Sequence, residues 1–107
     1  MKNISITSYG VTYTDCYFVL SHYTNNNNLA IGIVSKSEGP LTTLTVNIDK
    51  LEYGLAAIDI NNCPFAEDII IGYSFGRPVG YMSSGFVDYP VYELDINKLL
   101  EYSKKLD

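Results

Sequence analysis

Cysteine, histidine and carboxylate residues offer this chain one arrangement for nucleophilic catalysis. Cys63 lies in Asn61-Asn62-Cys63-Pro64, directly ahead of a segment that reads as a helix, and a cysteine at a helix N-terminus is where a thiol pKa can be lowered. His22 as base and Asp59 or Asn62 as orienting group would complete a nucleophile, base and orienter. His22 is the only histidine, however, and it ends a strand-like segment beside a polar turn, where it reads as an exposed hairpin residue. One histidine and two distant cysteines, Cys16 and Cys63, miss the ligand spacings of zinc sites. The acid pairs Glu67-Asp68 and Glu93/Asp95 fall at a helix start and a strand–helix junction, where carboxylates have structural uses. The expectation is a protein that is not an enzyme, with no catalytic residues, no metal and no cofactor.

Binding chemistry has more to work with. Arg77, the only arginine, sits in Phe75-Gly76-Arg77-Pro78-Val79-Gly80. A guanidinium in a glycine-rich loop can hold a carboxylate or phosphate by two parallel hydrogen bonds. Tyrosine occurs ten times, too often for so small a core to hide every phenol, so several rings should reach the surface half covered, as they do at protein interfaces. From Ser37 to Asn97 nine acids face only Lys50 and Arg77, a net charge of −7 over that stretch. The candidate binding residues are therefore Asp49, Glu52, Asp59, Glu67, Asp68, Arg77, Tyr81, Asp88 and Tyr89. An acidic, tyrosine-bearing surface suits a basic protein partner by complementary potential.

Composition sets the frame for these residues. The chain has 107 residues, 47% hydrophobic, 18% charged and 13% aromatic, which fits a single globular domain over 1–107 and excludes a disordered tail or a coiled coil. A net charge of −5 makes it a poor ligand for a phosphate backbone, so no direct nucleic-acid contact is expected. Apolar runs such as Ile69-Ile70-Ile71 fall far short of the roughly 20 residues that a membrane helix needs. Thr7, Ser8 and Tyr9 interrupt the N-terminus before an export signal can develop, so the expected location is the reducing cytoplasm, with Cys16 and Cys63 as free thiols.

The elements that must position the candidate residues read as α+β. Val11–His22, rich in Thr, Tyr, Phe and Val, suits a strand; Thr24–Asn28 turns the chain, since asparagine tolerates left-handed backbone. Leu29–Val34 gives a second strand, and Leu41–Ile48 a third with Leu44, Val46 and Ile48 on one face, completing an antiparallel meander. Ala56–Ile60 reads as a short strand or a buried connection. Pro64 suits the first helical position, with Asn62 or Cys63 capping, Phe65 and Ile69 forming an apolar stripe, and Gly72 as the stop. The glycines from Gly72 to Gly85, with Pro78, favour a long loop. Phe86–Leu94 resumes a strand that Pro90 should confine to an edge, where a second copy could pair, or to a bulge. Asp95 should cap a last helix with Ile96, Leu99, Leu100 and Leu106 on one face, a Glu101–Lys105 pair, and Lys104 and Lys105 at its negative end. The whole is an antiparallel sheet of four to five strands with two helices packed on one face.

Leu44–Ile48, Asn61-Asn62-Cys63-Pro64, Ser84-Gly85-Phe86 and Tyr89-Pro90-Val91-Tyr92, in that order, resemble an uncharacterised domain family of small proteins from phages, plasmids and integrated elements of Firmicutes and related gut bacteria. The resemblance covers Tyr13 to Leu100 and brings no catalytic residues with it. It implies a mobile-element accessory protein inside a bacterial cell, and by analogy an inhibitor of host defence of the anti-CRISPR kind. The leading expectation is a binding protein that occupies a basic surface of a host defence factor. The alternative is a binder of a small anionic nucleotide held by Arg77 in the Gly76–Gly85 loop, and a thiol enzyme at Cys63 is a third reading.

Overall fold

Alternating apolar residues at Ile4 and Ile6 make β1 (Ile4–Ser8), an element not anticipated above, which folds back on β2 (Val11–His22) with Ser8 opposite Val11. The computed structural model describes residues 1–105. β3 (Leu29–Ser35) pairs antiparallel with β2 from His22↔Leu29 to Cys16↔Ser35, and Asn27, at φ 63°, makes the left-handed reversal expected of the asparagine run. β4 (Gly39–Thr43) extends this first sheet beyond β3. Ile4, Ile6, Cys16, Phe18, Ile31 and Ile33 are buried in the core beneath it.

The strand expected over Leu41–Ile48 divides at Leu44 into β4 and β5 (Thr45–Val46), and the two pieces serve different sheets. Leu44 N–H donates to Ile31 O at 2.8 Å, while Leu44 O accepts from Asp59 N–H at 2.9 Å. Thr45 Oγ1 takes the Ile31 N–H at 3.1 Å. One buried residue is thus bonded to both sheets. Leu44 enters the main core, whereas Val46 and Ile48 pack in a second cluster, so the single predicted face is split by the turn at Leu44.

The second sheet runs β5, β6 (Leu55–Ile58), β8 (Val87–Leu94), β7 (Gly76–Ser84). The expected Gly72–Gly85 loop is therefore largely a strand, and its breakers have ladder roles. A Cβ at Gly76 would stand 2.4 Å from Glu93 O, so glycine lets β7 lie against β8. Pro78 and Val79 sit at the irregular register between Pro78 and Gly80, on a strand with no further neighbour among the described residues, where a missing N–H costs little. β8 is not an edge strand as Pro90 suggested. It lies between β6 and β7, but its pairs with β6 stop at Val91, so Pro90 is laddered only on the β7 side, opposite Tyr81.

Two short helices complete the α+β fold. α1 (Ala66–Gly72) carries Glu67 and Asp68 in its first turn, as expected, but Pro64 lies in the turn ahead of it rather than at the first helical position, and the cap residue is Phe65, which makes no side-chain cap bond. Asn62 is engaged by Asp59 instead. The left-handed residue that ends the helix is Ser74, at φ 58°, two positions beyond Gly72. α2 (Ile96–Leu100) has the predicted cap: Asp95 accepts from Lys98 N–H at 3.1 Å. It stops early. The chain then extends as β9 (Ser103–Lys105), parallel to β2 at Phe18–Leu20, where β1 leaves β2 unpaired. A ladder on an open edge outweighs one more turn of a marginal helix. Lys104 and Lys105 are consequently strand residues, Glu101 pairs with Lys2 at 2.8 Å rather than along a helix, and Leu106 lies outside the described residues.

The main core joins both sheets and both helices through Ile58, Ile70, Tyr92, Leu94 and Leu99. Phe75 is its aromatic hub, edge-on to Phe18 at 5.3 Å and to Tyr102 at 5.1 Å and stacked on Tyr73 at 5.5 Å. A smaller cluster of Ala57, Tyr89 and Val91, flanked by Leu51, Leu55 and Met82, covers the opposite face of the second sheet. Cys16 and Cys63 are free and buried. No helix among the described residues is long and apolar enough to cross a membrane.

Candidate functional site

Strand alternation on the β7–β8 hairpin decides which candidate residues meet. The hairpin turns at Gly85-Phe86, between the pair Ser84↔Val87, with Gly85 at φ 61° as a two-residue turn of this hand requires. Tyr81 opposite Pro90, and Ser83 opposite Asp88, share the face that Tyr92 presents toward α1. Ser83 Oγ donates to Asp88, and Tyr92 OH donates to the Glu67 carboxylate. Burial first, then the Glu67 hydrogen bond and charge, and finally Tyr81, hold the Tyr92 phenol above its usual pKa, so it stays neutral and orients Glu67. Glu67, Tyr81 and Asp88 are thereby brought to one side of the hairpin. Tyr81 is 75% exposed, and Phe86 stands wholly in solvent at the tip.

The other candidates lie elsewhere. Tyr89 points to the opposite face of β8 and packs its ring beside Val91, so it is chiefly a packing residue and lies apart from the face of Tyr81 and Asp88. Asp59 is also buried: its carboxylate accepts from Asn62 N–H and Nδ2 at 3.0 Å each and closes the turn ahead of α1. Asp68 is exposed on the flank of α1 that faces Thr7 and Tyr73. Arg77 Nε donates to Glu93 Oε1 at 3.0 Å in an exposed pair, so its guanidinium is engaged across the ladder and no loop surrounds it.

Asp49 and Glu52 belong to the segment between β5 and β6, which an asparagine network fixes. Asn28, almost fully buried, donates through Nδ2 to Asn47 Oδ1 at 3.1 Å and Asp49 O at 2.8 Å, and its Oδ1 accepts from Leu51 N–H at 2.9 Å. Asn26 Nδ2 adds a bond to the same Asn47 oxygen at 3.0 Å. The asparagine run thus anchors a distant segment as well as turning the chain. Glu52 and Tyr53 border a cleft of about 360 Å³ with His22, Leu29, Leu55 and Leu100.

The nucleophile reading finds no assembled site. Cys63 is fully buried, and burial, reinforced by the Asp59 charge, pushes its thiol up to about 12. Burial also raises Cys16, with Asp15 adding to it. His22 lies at the cleft, whose lining does not include Cys63. No cluster of three or more potential metal ligands occurs among the described residues.

Sequence reasoning missed the most exposed rings: Phe86, Tyr9 at 93% and Tyr53 at 86%. The signal for two of them was present in Ser84-Gly85-Phe86 and Tyr9-Gly10, since a tight turn between two strands holds its central residue away from any core. A family model described as a domain of unknown function, DUF4313, matches residues 17–106. No curated protein and no solved structure matches the chain.

Proposed function

From the premise that the chain belongs to the DUF4313 family, a domain of unknown function, we propose that it is a non-enzymatic binding protein that engages a basic surface of a partner protein through its β7–β8 hairpin. One observation carries this reading: Glu67, Tyr81 and Asp88 share one side of a hairpin whose tip exposes Phe86 completely. An exposed apolar ring at the tip, followed along one face of the hairpin by Asp88, Tyr81 and then Glu67, combines the components of an interface hot spot, with charge for steering and aromatic area for affinity. In its finer form the reading is a mobile-element accessory protein, acting in the cytoplasm of a bacterial host and inhibiting a defence factor as anti-CRISPR proteins do. The nucleotide alternative is the weaker reading, because the segment meant to cradle an anion is a β-ladder and Arg77 is paired with Glu93.

The test is a pull-down from the host with wild type and three variants. A stoichiometric partner should be retained at low salt and lost at high salt, and Phe86→Ala and Asp88→Lys should each abolish its capture while Asp49→Lys leaves it intact. Retention of the partner by both hairpin variants would refute the assignment of the surface.

A further inference from the structure

Tyr9 is a second exposed ring, and its backbone is strained. It occupies φ 50° in the turn of the β1–β2 hairpin, with Gly10 at φ 80°, an arrangement in which both central residues are left-handed. Such turns favour Asn-Gly, because a bulky side chain in left-handed backbone crowds the following carbonyl. A tyrosine that is strained and 93% exposed contributes little to the fold, and strain of this kind marks places where a side chain is needed for something else.

Beside Tyr9 the surface is grooved. Successive hollows of about 330, 220 and 210 Å³ run from Leu41 past Phe65 to Asp68 and Tyr73, and Tyr9, Tyr13 and Pro64 line the same course. Val11, 51% exposed, adds apolar surface next to Tyr9. Asp68 lies at the far end, exposed and in no ion pair among the described residues. Although β1 is an edge strand, an added strand is disfavoured here, since Ser5 N–H already donates to Tyr73 OH at 2.9 Å. A groove lined by rings instead suits a polyproline II segment, which presents proline faces to aromatics and needs no ladder. The single acid at one end, on a chain of net charge −5, selects a cationic flank.

We propose that the groove between the β1–β2 hairpin and the start of α1 binds proline-rich peptide segments that carry a basic residue at one end, with Tyr9 as the aromatic anchor and Asp68 as the charge partner. This site shares no residue with the β7–β8 hairpin, so the two proposals fail independently.

The probes are N-acetylated hexaproline peptides bearing arginine at either end, a hexaproline peptide bearing glutamate, and an arginine-bearing hexaglycine peptide, titrated into the isotopically labelled full chain and followed by amide chemical shifts. One arginine–hexaproline peptide should move the amides of Thr7–Tyr13 and Phe65–Asp68 saturably, bind about tenfold more tightly than the glutamate peptide, and outcompete the glycine control. Asp68→Asn should erase the arginine preference. Tyr9→Asn should melt at a higher temperature than wild type while weakening the peptide about tenfold or more, a divergence that a merely structural tyrosine would not give. Absence of localised shifts with every hexaproline peptide, equal binding of the glycine control, or undiminished binding by Tyr9→Asn would each overturn the proposal.

Discussion

Gly76→Ala tests whether the ladder that presents Tyr81 and Asp88 depends on the close approach of β7 to β8. The new Cβ would lie 2.4 Å from Glu93 O, 3.0 Å from Leu94 Cδ2 and 3.2 Å from Glu93 C. Because the nearest atom is backbone, no rotamer change relieves the contact, and the strands must part by about 0.6 Å to reach even 3.0 Å. Overpacking of that kind costs about 1–3 kcal/mol. Gly80, on the same strand, is the matched control: no atom lies within 4 Å of its would-be Cβ, and its φ is not positive. Alanine there should be neutral, or stabilising by up to about 1 kcal/mol through the unfolded chain. In urea unfolding followed by circular dichroism, with a slope of about 1–2 kcal/mol per molar, the two midpoints should differ by about 0.5 M or more. Amide shifts at Tyr81 and Asp88 should move in Gly76→Ala alone. Coincident midpoints would show that the approach at Glu93 is not a constraint on this sheet.

Two further outcomes follow from buried groups. Asn28→Ala strips partners from Asn47 Oδ1, the Asp49 carbonyl and the Leu51 N–H, and should cost about 2–3 kcal/mol in the same urea assay, whereas Asn25→Ala, which removes one exposed bond to Asn47, should cost less than about 1 kcal/mol. The Cys63 thiol, raised in the folded state from 9.0 to about 12, keeps a proton there that the unfolded chain releases. Its contribution to stability is complete below pH 9 and should be lost as pH rises toward 12, with a slope of up to about 1.4 kcal/mol per pH unit that Cys63→Ala should remove, leaving the slope due to Cys16 and Tyr92. At pH 8 a thiol reagent should label neither cysteine until the chain is unfolded, and rapid labelling of the native protein would contradict the burial of both.

Local chemistry determined much of this protein from the sequence alone. The β2 and β3 strands and the reversal at Asn27, the acidic first turn of α1 and the Asp95 cap each depend on neighbours a few residues away, and each was legible. So was the α+β class, because period-two alternation and short turns imply antiparallel pairing.

Tertiary structure decided the rest. Gly76 and Pro78 read as loop residues because their intrinsic preferences oppose strands, yet an edge position beside Glu93 makes those properties useful. Leu44 divides a continuous alternating run because one residue bonds to Ile31 on one side and Asp59 on the other, a choice that no local pattern encodes. β9 replaces the end of a helix because β2 offers an unpaired edge at Phe18–Leu20. The candidate site divided in the same way. Residue type nominated acids and tyrosines, but burial took in Asp59 and Tyr89, pairing occupied Arg77, and only strand register put Tyr81 and Asp88 on the face of Tyr92, which holds Glu67. Charge and aromatic content are properties of composition, whereas exposure and adjacency arise from contacts between segments far apart in the chain.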